Sequence, residues 1–367
     1  MIGIIICTTE CNLRCKYCFE EHNMKSEDLV SSRIINEKFY EGMNVFKKFG
    51  AELIEYNKEM GIITEFTFHG GEPLLIKPQY INELCGYFCS LGKVKFNVQT
   101  NGTIMSDELL EVLKKYNFRV GVSIDGSEET NDENRVTANG KGTHSVILKN
   151  IKILQNAGLE VGAMATITKS ITRDVRTFYE FYRKHNLAVG FNACYSSPNS
   201  DVKNEIDDRE YCKFLSDLFD IWIKDDSSLM IQPFERIIKN MVRPKAGMGV
   251  CQFMEDCRGV NVAIDAVGNI YHCLHYCNLT NSALGNIKKE KLNVIIARHL
   301  EKKGHWERIK EEAKGSCKTC DIYNYCYGGC PYWSDAKELT GMDKDFNCFS
   351  QKYIVHYIYE QMKKRCE

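Results

Sequence analysis

The sequence predicts an α/β fold: a partial (β/α)6 TIM-like barrel followed by an irregular cysteine-rich extension. Three observations carry this reading. Short β-branched or aromatic runs alternate with longer amphipathic segments through the first two thirds of the chain. From the second run onward they recur at roughly 25 to 40 residues, the period of βα units on a parallel sheet. Six such units are visible, two short of a closed eight-stranded barrel. Between Cys251 and Cys348 the repeat stops, and eight candidate ligand cysteines fall among Gly, Asn and Tyr.

The first strand is predicted near residues 3–7, opening the chain, and the others near 64–69, 95–99, 119–124, 160–166 and 188–194. Helices fall between them. One is expected over residues 107–115, with Ser106 as N-cap and Glu108 behind it. Another covers 144–156, where Val146, Ile147, Ile151 and Leu154 form an apolar stripe and Gly158 supplies the stop. A helix near 209–223 follows the sixth strand and closes the side, and one near 351–364 ends the chain. The expected division is a barrel over 1–235, an auxiliary region over 236–350 and a C-terminal helix over 351–367.

Composition narrows the function. Of 367 residues, 18 are cysteine, yet a chain this long buries a large core without disulfide staples. The first residues lack a basic start with a long apolar run, and no stretch of 18 or more apolar residues follows. A reducing, cytoplasmic setting is expected, and there clustered cysteines read as metal ligands or redox centres. Lys plus Arg total 48 against 49 for Asp plus Glu, so no whole-protein field favours nucleic acid or an anionic membrane as partner. With only six prolines and no low-complexity tract, no disordered linker is marked.

Directly after the first strand comes Cys11-Asn-Leu-Arg-Cys15-Lys-Tyr-Cys18. Three thiolates can hold three irons of a [4Fe–4S] cluster, whose full ligation takes four. The fourth iron is then left open for chemistry, by the logic that separates catalytic from structural zinc sites. The loop also lies at the C-terminal end of a barrel strand, where barrel active sites are built. A three-cysteine zinc site with a distant fourth ligand is the bland alternative.

This motif resembles that of the radical S-adenosylmethionine (SAM) enzymes. The resemblance implies that the open iron binds the amino and carboxylate groups of SAM and that an electron from the cluster yields a 5′-deoxyadenosyl radical. Gly70-Gly71-Glu72-Pro73, after the second strand, is similar to the family's GGEP segment, with the Glu72 carboxylate receiving the SAM ammonium. Asn101 follows the third strand, and Ser123 and Asp125 follow the fourth. The resemblance gives Ser123 a ribose contact, Arg135 the SAM carboxylate, and Tyr17 a place near the adenine. Each alone is also a turn signal or surface residue; their order at successive strand ends supports the joint reading.

The second cysteine field runs Cys251, Cys257, Cys273, then Cys317-x2-Cys320-x5-Cys326-x3-Cys330 and Cys348. It resembles the SPASM extension of radical SAM enzymes that modify peptides and proteins. Eight thiolates suffice for two fully ligated [4Fe–4S] clusters, so three clusters and SAM are the expected cofactors. The resemblance assigns Cys251, Cys257, Cys273 and Cys330 to a nearer cluster and Cys317, Cys320, Cys326 and Cys348 to an outer one. Structural zinc is the alternative.

The overall layout resembles the anaerobic sulfatase-maturing enzymes, which oxidise Cys or Ser to formylglycine with an acidic base directly after the third cysteine of the nearer cluster. Here that residue is Leu274, which accepts no proton. The main expectation is therefore a maturase of ribosomally made peptides that forms a thioether or carbon–carbon cross-link. Sulfatase maturation is second, and a non-catalytic zinc-built peptide-binding module third. Expected partners are a peptide or protein substrate and an electron donor of the flavodoxin or ferredoxin type; with the first strand entered at residue 3, any leader recognition is expected to fall to the barrel, the extension or a separate leader-peptide-binding protein. Cys194, His275 and Cys277 are the weak catalytic candidates. His69 and His272 are read as packed histidines. Cys85 and Cys89 share one helix face as packing residues, and Cys7, Cys212 and Cys366 are likewise unassigned thiols.

Overall fold

The computed structural model describes residues 1–18, 31–194, 205–226, 229–242, 254, 256–279, 281–301, 317, 319–332 and 348–366. In chain order the elements are β1 (Ile2–Thr8), α1 (Ser32–Glu41), α2 (Met43–Glu59), β2 (Thr64–Gly70), α3 (Pro78–Leu91), β3 (Val94–Thr100), α4 (Asp107–Lys115) and β4 (Arg119–Ser123). There follow α5 (Glu128–Asn134), α6 (His144–Asn156), β5 (Glu160–Ile167), α7 (Val175–His185), β6 (Ala188–Ala193), α8 (Asp208–Trp222) and α9 (Phe234–Val242). The last are β7 (Asn261–Ile264), β8 (Asn269–Tyr271), β9 (Gly285–Asn286), α10 (Leu292–Glu301) and α11 (Cys348–Cys366), with short one-turn helices between. All six expected strands form within a residue or two of their predicted ends.

The chain divides into two compact units that interleave along the sequence: Met1–Ile124, Asn131–Gly162 and Arg258–Glu301 make the first, and Asp125–Thr130, Ala163–Cys257 and Lys302–Glu367 the second. In the first unit the strand order is β4-β3-β2-β1-β7-β8-β9. The pairs β1–β2, β2–β3 and β3–β4 are parallel, as the βα repeat requires. β7 also pairs parallel with β1, Ile2 opposite Asn261 through Ile5 opposite Ile264. This strand lies inside the stretch expected to be irregular; its four residues are too few to register as a periodic run. β8 and β9 then return antiparallel, around a turn in which Asp265 Oδ1 accepts the N–H groups of Val267, Gly268 and Asn269.

Alternation along β2, β3 and β4 separates two faces. Phe66, Phe68, Phe96, Val98, Val120 and Val122 are buried in an aromatic layer, with Phe66 stacked on Phe88 of α3 at 4.2 Å and Phe96 on Phe118 at 5.4 Å. Burying each such side chain contributes about 1.5–3 kcal/mol. Glu65, Thr67, His69, Asn97, Gln99 and Ser123 take the opposite face and stay half-buried. Interiors of closed barrels are filled by branched apolar side chains; this face is polar instead.

The helix ends follow their sequence signals. Ser106 caps α4 by accepting from Leu109 N, and α6 stops before Gly158, whose φ is +79°. The buried stripe of α6 is Ile147, Asn150, Ile151 and Leu154. Val146 is exposed, contrary to expectation, because one step along a helix turns it about 100° away from Ile147. In the second unit α8 opens with a capping box in which Asp207 and Glu210 satisfy each other's backbone N–H groups. Its inner face packs in an aromatic cluster, Phe178 against Phe214 at 5.4 Å and Phe219 against Phe234 at 5.3 Å. α11 joins through Tyr357, which donates to Asp220 at 2.8 Å.

Close packing of α2 on α3 depends on Gly50, where a Cβ would stand 2.0 Å from the Phe88 ring. Gly50→Ala is expected to lower unfolding free energy by about 1–3 kcal/mol through overpacking, read from urea denaturation midpoints. An unchanged midpoint would show that the Phe88 ring moves aside freely.

Candidate functional site

β1 ends in a register shift between Ile6 and Thr8, and the chain turns into the loop that carries Cys11, Cys15 and Cys18. That loop is held on two sides. On one, Gly71 N donates to Thr8 O at 2.8 Å and Glu72 N to Glu10 O at 2.9 Å. On the other, Arg14 N donates to Val136 O at 2.7 Å and Lys16 N to Asn134 O at 3.1 Å. Gly70 has φ +124°, and a Cβ there would stand 2.2 Å from Thr8 O; at Gly71 it would stand 2.3 Å from Glu10 O. These glycines let the cysteine loop lie directly on the second strand end, a nearer reason for them than approach to a ligand.

The three thiols are half-buried. Cys11 Sγ accepts from Leu13 N at 3.4 Å and from Asn101 Nδ2 at 3.6 Å. Burial, with the charges of Glu72 and Cys15 adding to it, nevertheless pushes the Cys11 thiol up to about 12. The donor set fits an iron–sulfur cluster with three protein thiolates. Among the described residues no three His, Cys, Asp or Glu side chains gather at single-ion spacing.

Glu72 is fully buried. Its Oε1 accepts from Leu74 N at 2.9 Å and Thr100 Oγ1 at 2.7 Å, and its Oε2 from Asn101 N at 2.7 Å. The carboxylate caps the one-turn helix Pro73–Leu75 and clamps it to the end of β3. Burial pushes its pKa up to about 7 against the three hydrogen bonds. Asn101 continues the chain of contacts: Nδ2 donates to Asn12 Oδ1 at 2.8 Å, and Oδ1 accepts from Thr103 N at 2.9 Å. Asn150 of α6 donates to Gly102 O at 2.8 Å, fixing the same turn from below. Asn12, Thr103 and Asn150 are working parts that carry no motif in the sequence, because their roles come from contacts with Asn101 and Gly102.

Tyr17 and Arg135 come together, with the guanidinium carbon 5.3 Å from the ring centroid, a cation–π contact. Arg135 is nearly buried, and its carbonyl accepts from Thr143 Oγ1 at 2.7 Å. Ser123 accepts from Gln99 Nε2 at 3.2 Å. Asp125 belongs to the second unit, is fully buried, and accepts from Thr166 N at 2.9 Å.

Of the catalytic candidates, His275 is exposed, and desolvation by the protein around it lowers its pKa. It stands near enough to His69 for their charges to oppose each other, and burial lowers His69 to about 4. Both imidazoles are neutral at pH 7, and Gly70 N donates to His69 Nδ1 at 2.7 Å. His272 is packed as expected, bonded to His299 at 2.9 Å and edge-on to Tyr276. Cys277 Sγ lies 3.7 Å from Cys273 O. Cys194 is buried in the second unit, its thiol pushed up to about 12 by burial and by Glu205 and Asp125.

Four cysteines of the second field share one electrostatic neighbourhood in the second unit. Burial, opposed by the Gly328 N–H, pushes Cys326 up to about 11, and Cys348, Cys317 and Cys320 each add to the rise. The turn after Cys326 has positive φ at Tyr327, Gly328 and Gly329. Cys257 and Cys330 belong to the second unit and Cys273 to the first; Cys251 lies outside the described residues.

The linkage at Glu72 gives a signed prediction. Its folded pKa of about 7 lies above the ordinary 4.5, so between those values the folded state binds more protons and stability falls as pH rises. Glu72→Gln in the cluster-free protein is expected to lower stability and to flatten that slope. Denaturant titrations at several pH values check it; an unaltered slope would place the titration elsewhere.

Residues 5–182 match the Radical SAM superfamily. A cysteine-type anaerobic sulfatase-maturating enzyme of Clostridium novyi (strain NT) is 26% identical over 362 residues, covering 94% of this chain and 91% of that protein. A serine-type anaerobic sulfatase-maturating enzyme of Bacteroides thetaiotaomicron is 27% identical over 346 residues, covering 88% of this chain and 80% of the relative. The solved structure of native anSMEcpe with bound AdoMet superposes with a TM-score of 0.81 at 22% identity, over 99% of both chains, and shows the same fold. No helix among the described residues is long and apolar enough to cross a membrane. The match over residues 5–182 makes that stretch a Radical SAM domain and the chain an enzyme, with SAM and a [4Fe–4S] cluster as the cofactors the domain implies.

Proposed function

We propose that the chain is a maturase of the sulfatase type, which oxidises a Cys or Ser side chain of a peptide or protein substrate to formylglycine. The observation that carries this is likeness to sulfatase-maturating enzymes over nearly the full length of both chains, barrel and cysteine-rich region together. It favours formylglycine over the cross-link that Leu274 suggested from sequence alone. Peptide as substrate is supported by a similar solved structure, anSMEcpe with AdoMet and the Cp18Cys peptide.

When bound, the cluster and SAM supply an adenosyl radical that removes a hydrogen atom from the substrate. The chain holds them with Cys11, Cys15 and Cys18, while Gly70, Gly71 and Pro73 form the wall beside the cysteine loop and Asn101 braces it. Glu72, with both carboxylate oxygens engaged, serves that wall as a brace. Arg135, covered by Tyr17, offers a cation for the SAM carboxylate, and Ser123 a hydroxyl for the ribose; Asp125 belongs to the same set. Leu274 offers no base, and His275 beside it is the neutral group suited to accept the substrate's proton.

The second cysteine field is read as a SPASM domain with two auxiliary clusters, in a chain divided near 235 and 350. Oxidation to the aldehyde leaves an electron to be removed, and the thiols around Cys326 suit a relay toward a flavodoxin- or ferredoxin-type carrier.

Two outcomes test the proposal. The reconstituted enzyme with a Cys-containing sulfatase peptide, SAM and a reductant is expected to give a product that has lost sulfur and gained an aldehyde by mass spectrometry. A product lacking only a pair of hydrogens would restore the cross-linking reading. Cys326→Ala is expected to lower bound iron from about twelve to about eight per chain and to abolish product while SAM cleavage partly survives. Full product formation would remove the relay.

A further inference from the structure

Gln99 of β3 stands directly opposite Gly121 of β4 in the parallel register, and Ser123 is two residues further along the same face. The Gln99 side chain crosses between the strands so that its Nε2 donates to Ser123 Oγ at 3.2 Å. A Cβ on Gly121 would stand 2.2 Å from Gln99 Oε1 and 3.1 Å from its Cδ. The amide therefore lies across a position with no side chain. Gly121 is not in the left-handed region, so its backbone does not demand glycine; the space over it is what the amide uses. Nearby on the same face, Asn97 reaches only Thr67 and Glu65, at 3.4 and 3.5 Å. Gln99 is the amide aimed at the strand end.

A serine hydroxyl has one proton to give and two lone pairs. With a lone pair taken by the Gln99 amide, its proton is left for whatever lies beyond.

We propose that Gln99, seated by Gly121, is a positioning residue that makes Ser123 a hydrogen-bond donor to an acceptor oxygen of the SAM ribose. This rests on the reading of Ser123 as a SAM contact. Replacing the amide by a carboxylate reverses the polarity: Gln99→Glu only accepts, draws the serine proton to itself, and leaves Ser123 no donor for the ligand.

The test is SAM affinity of the reconstituted holoenzyme by equilibrium dialysis, with iron content and thermal unfolding measured on each variant. Ser123→Ala, Gln99→Glu and the isosteric Gln99→Met are each expected to weaken SAM binding roughly three- to tenfold. Gln99→Glu is expected to add nothing on top of Ser123→Ala. Gly121→Ala meets only the movable end of a side chain, so it is expected to fold normally, to weaken SAM binding in the parent and to have no effect beside Gln99→Met. Ser123→Ala without effect overturns the ribose contact and the proposal with it. Ser123→Ala weakening SAM while both Gln99 variants bind normally overturns the positioning alone. A Gly121→Ala effect that persists beside Gln99→Met overturns the seating.

Discussion

The buried carboxylate of Glu72 is the constraint on which the site depends. An ionised carboxyl taken from water is costly unless donors surround it, and here the donors come from two segments: Leu74 N from its own turn, Thr100 Oγ1 and Asn101 N from the end of β3. Satisfying one side chain therefore fixes two strand ends relative to each other. Asn101, once fixed, reaches Asn12 and Cys11 in the cysteine loop, while Gly71 and Glu72 bind that loop by backbone hydrogen bonds. Three loops that are far apart in sequence thus share one short chain of contacts. The thiols they carry must keep cluster geometry without the rigidity of regular structure, and this bracing substitutes for it.

The parallel sheet supplies the second requirement, a polar surface backed by a stiff layer. Strand alternation sends Phe66, Phe68, Phe96 and Val98 into an aromatic core and leaves Thr67, His69, Asn97 and Gln99 opposite. Because the side-chain period is two, neither set can change without the other. The apolar face holds strand positions to the precision that side-chain contacts on the polar face need.

Much of this was legible in the sequence. The six strands were marked by β-branched and aromatic runs, and Ser106 and Gly158 marked helix ends by chemistry local to the chain. The cysteine triad stands out because three thiols fall within eight residues of one loop directly after β1. What was not legible has long-range causes. The bracing by Glu72 depends on Thr100 and Asn101, nearly thirty residues away. The need for Gly70 and Gly71 is also long-range: Thr8 O and Glu10 O sit 2.2 and 2.3 Å from where their Cβ atoms would be. β7 was missed because four residues carry no period, and only its pairing with β1 makes it a strand.

The cysteines show the same division between local and long-range information. Cys7, Cys85, Cys194 and Cys212 are all buried, and burial is the leading cause raising each thiol. As neutral thiols, three within strand or helix and Cys194 just after β6, they behave as small apolar residues. Cys11 and Cys326 are raised too; their sulfurs accept backbone N–H groups, as Cys7 does from His69, and they feel nearby cysteines, as Cys85 does. Burial alone therefore does not separate a ligand cysteine from a packing one. The separation lies in position: Cys11 is in the loop after β1 and Cys326 ends a one-turn helix, whereas Cys7, Cys85 and Cys212 sit within regular strand or helix.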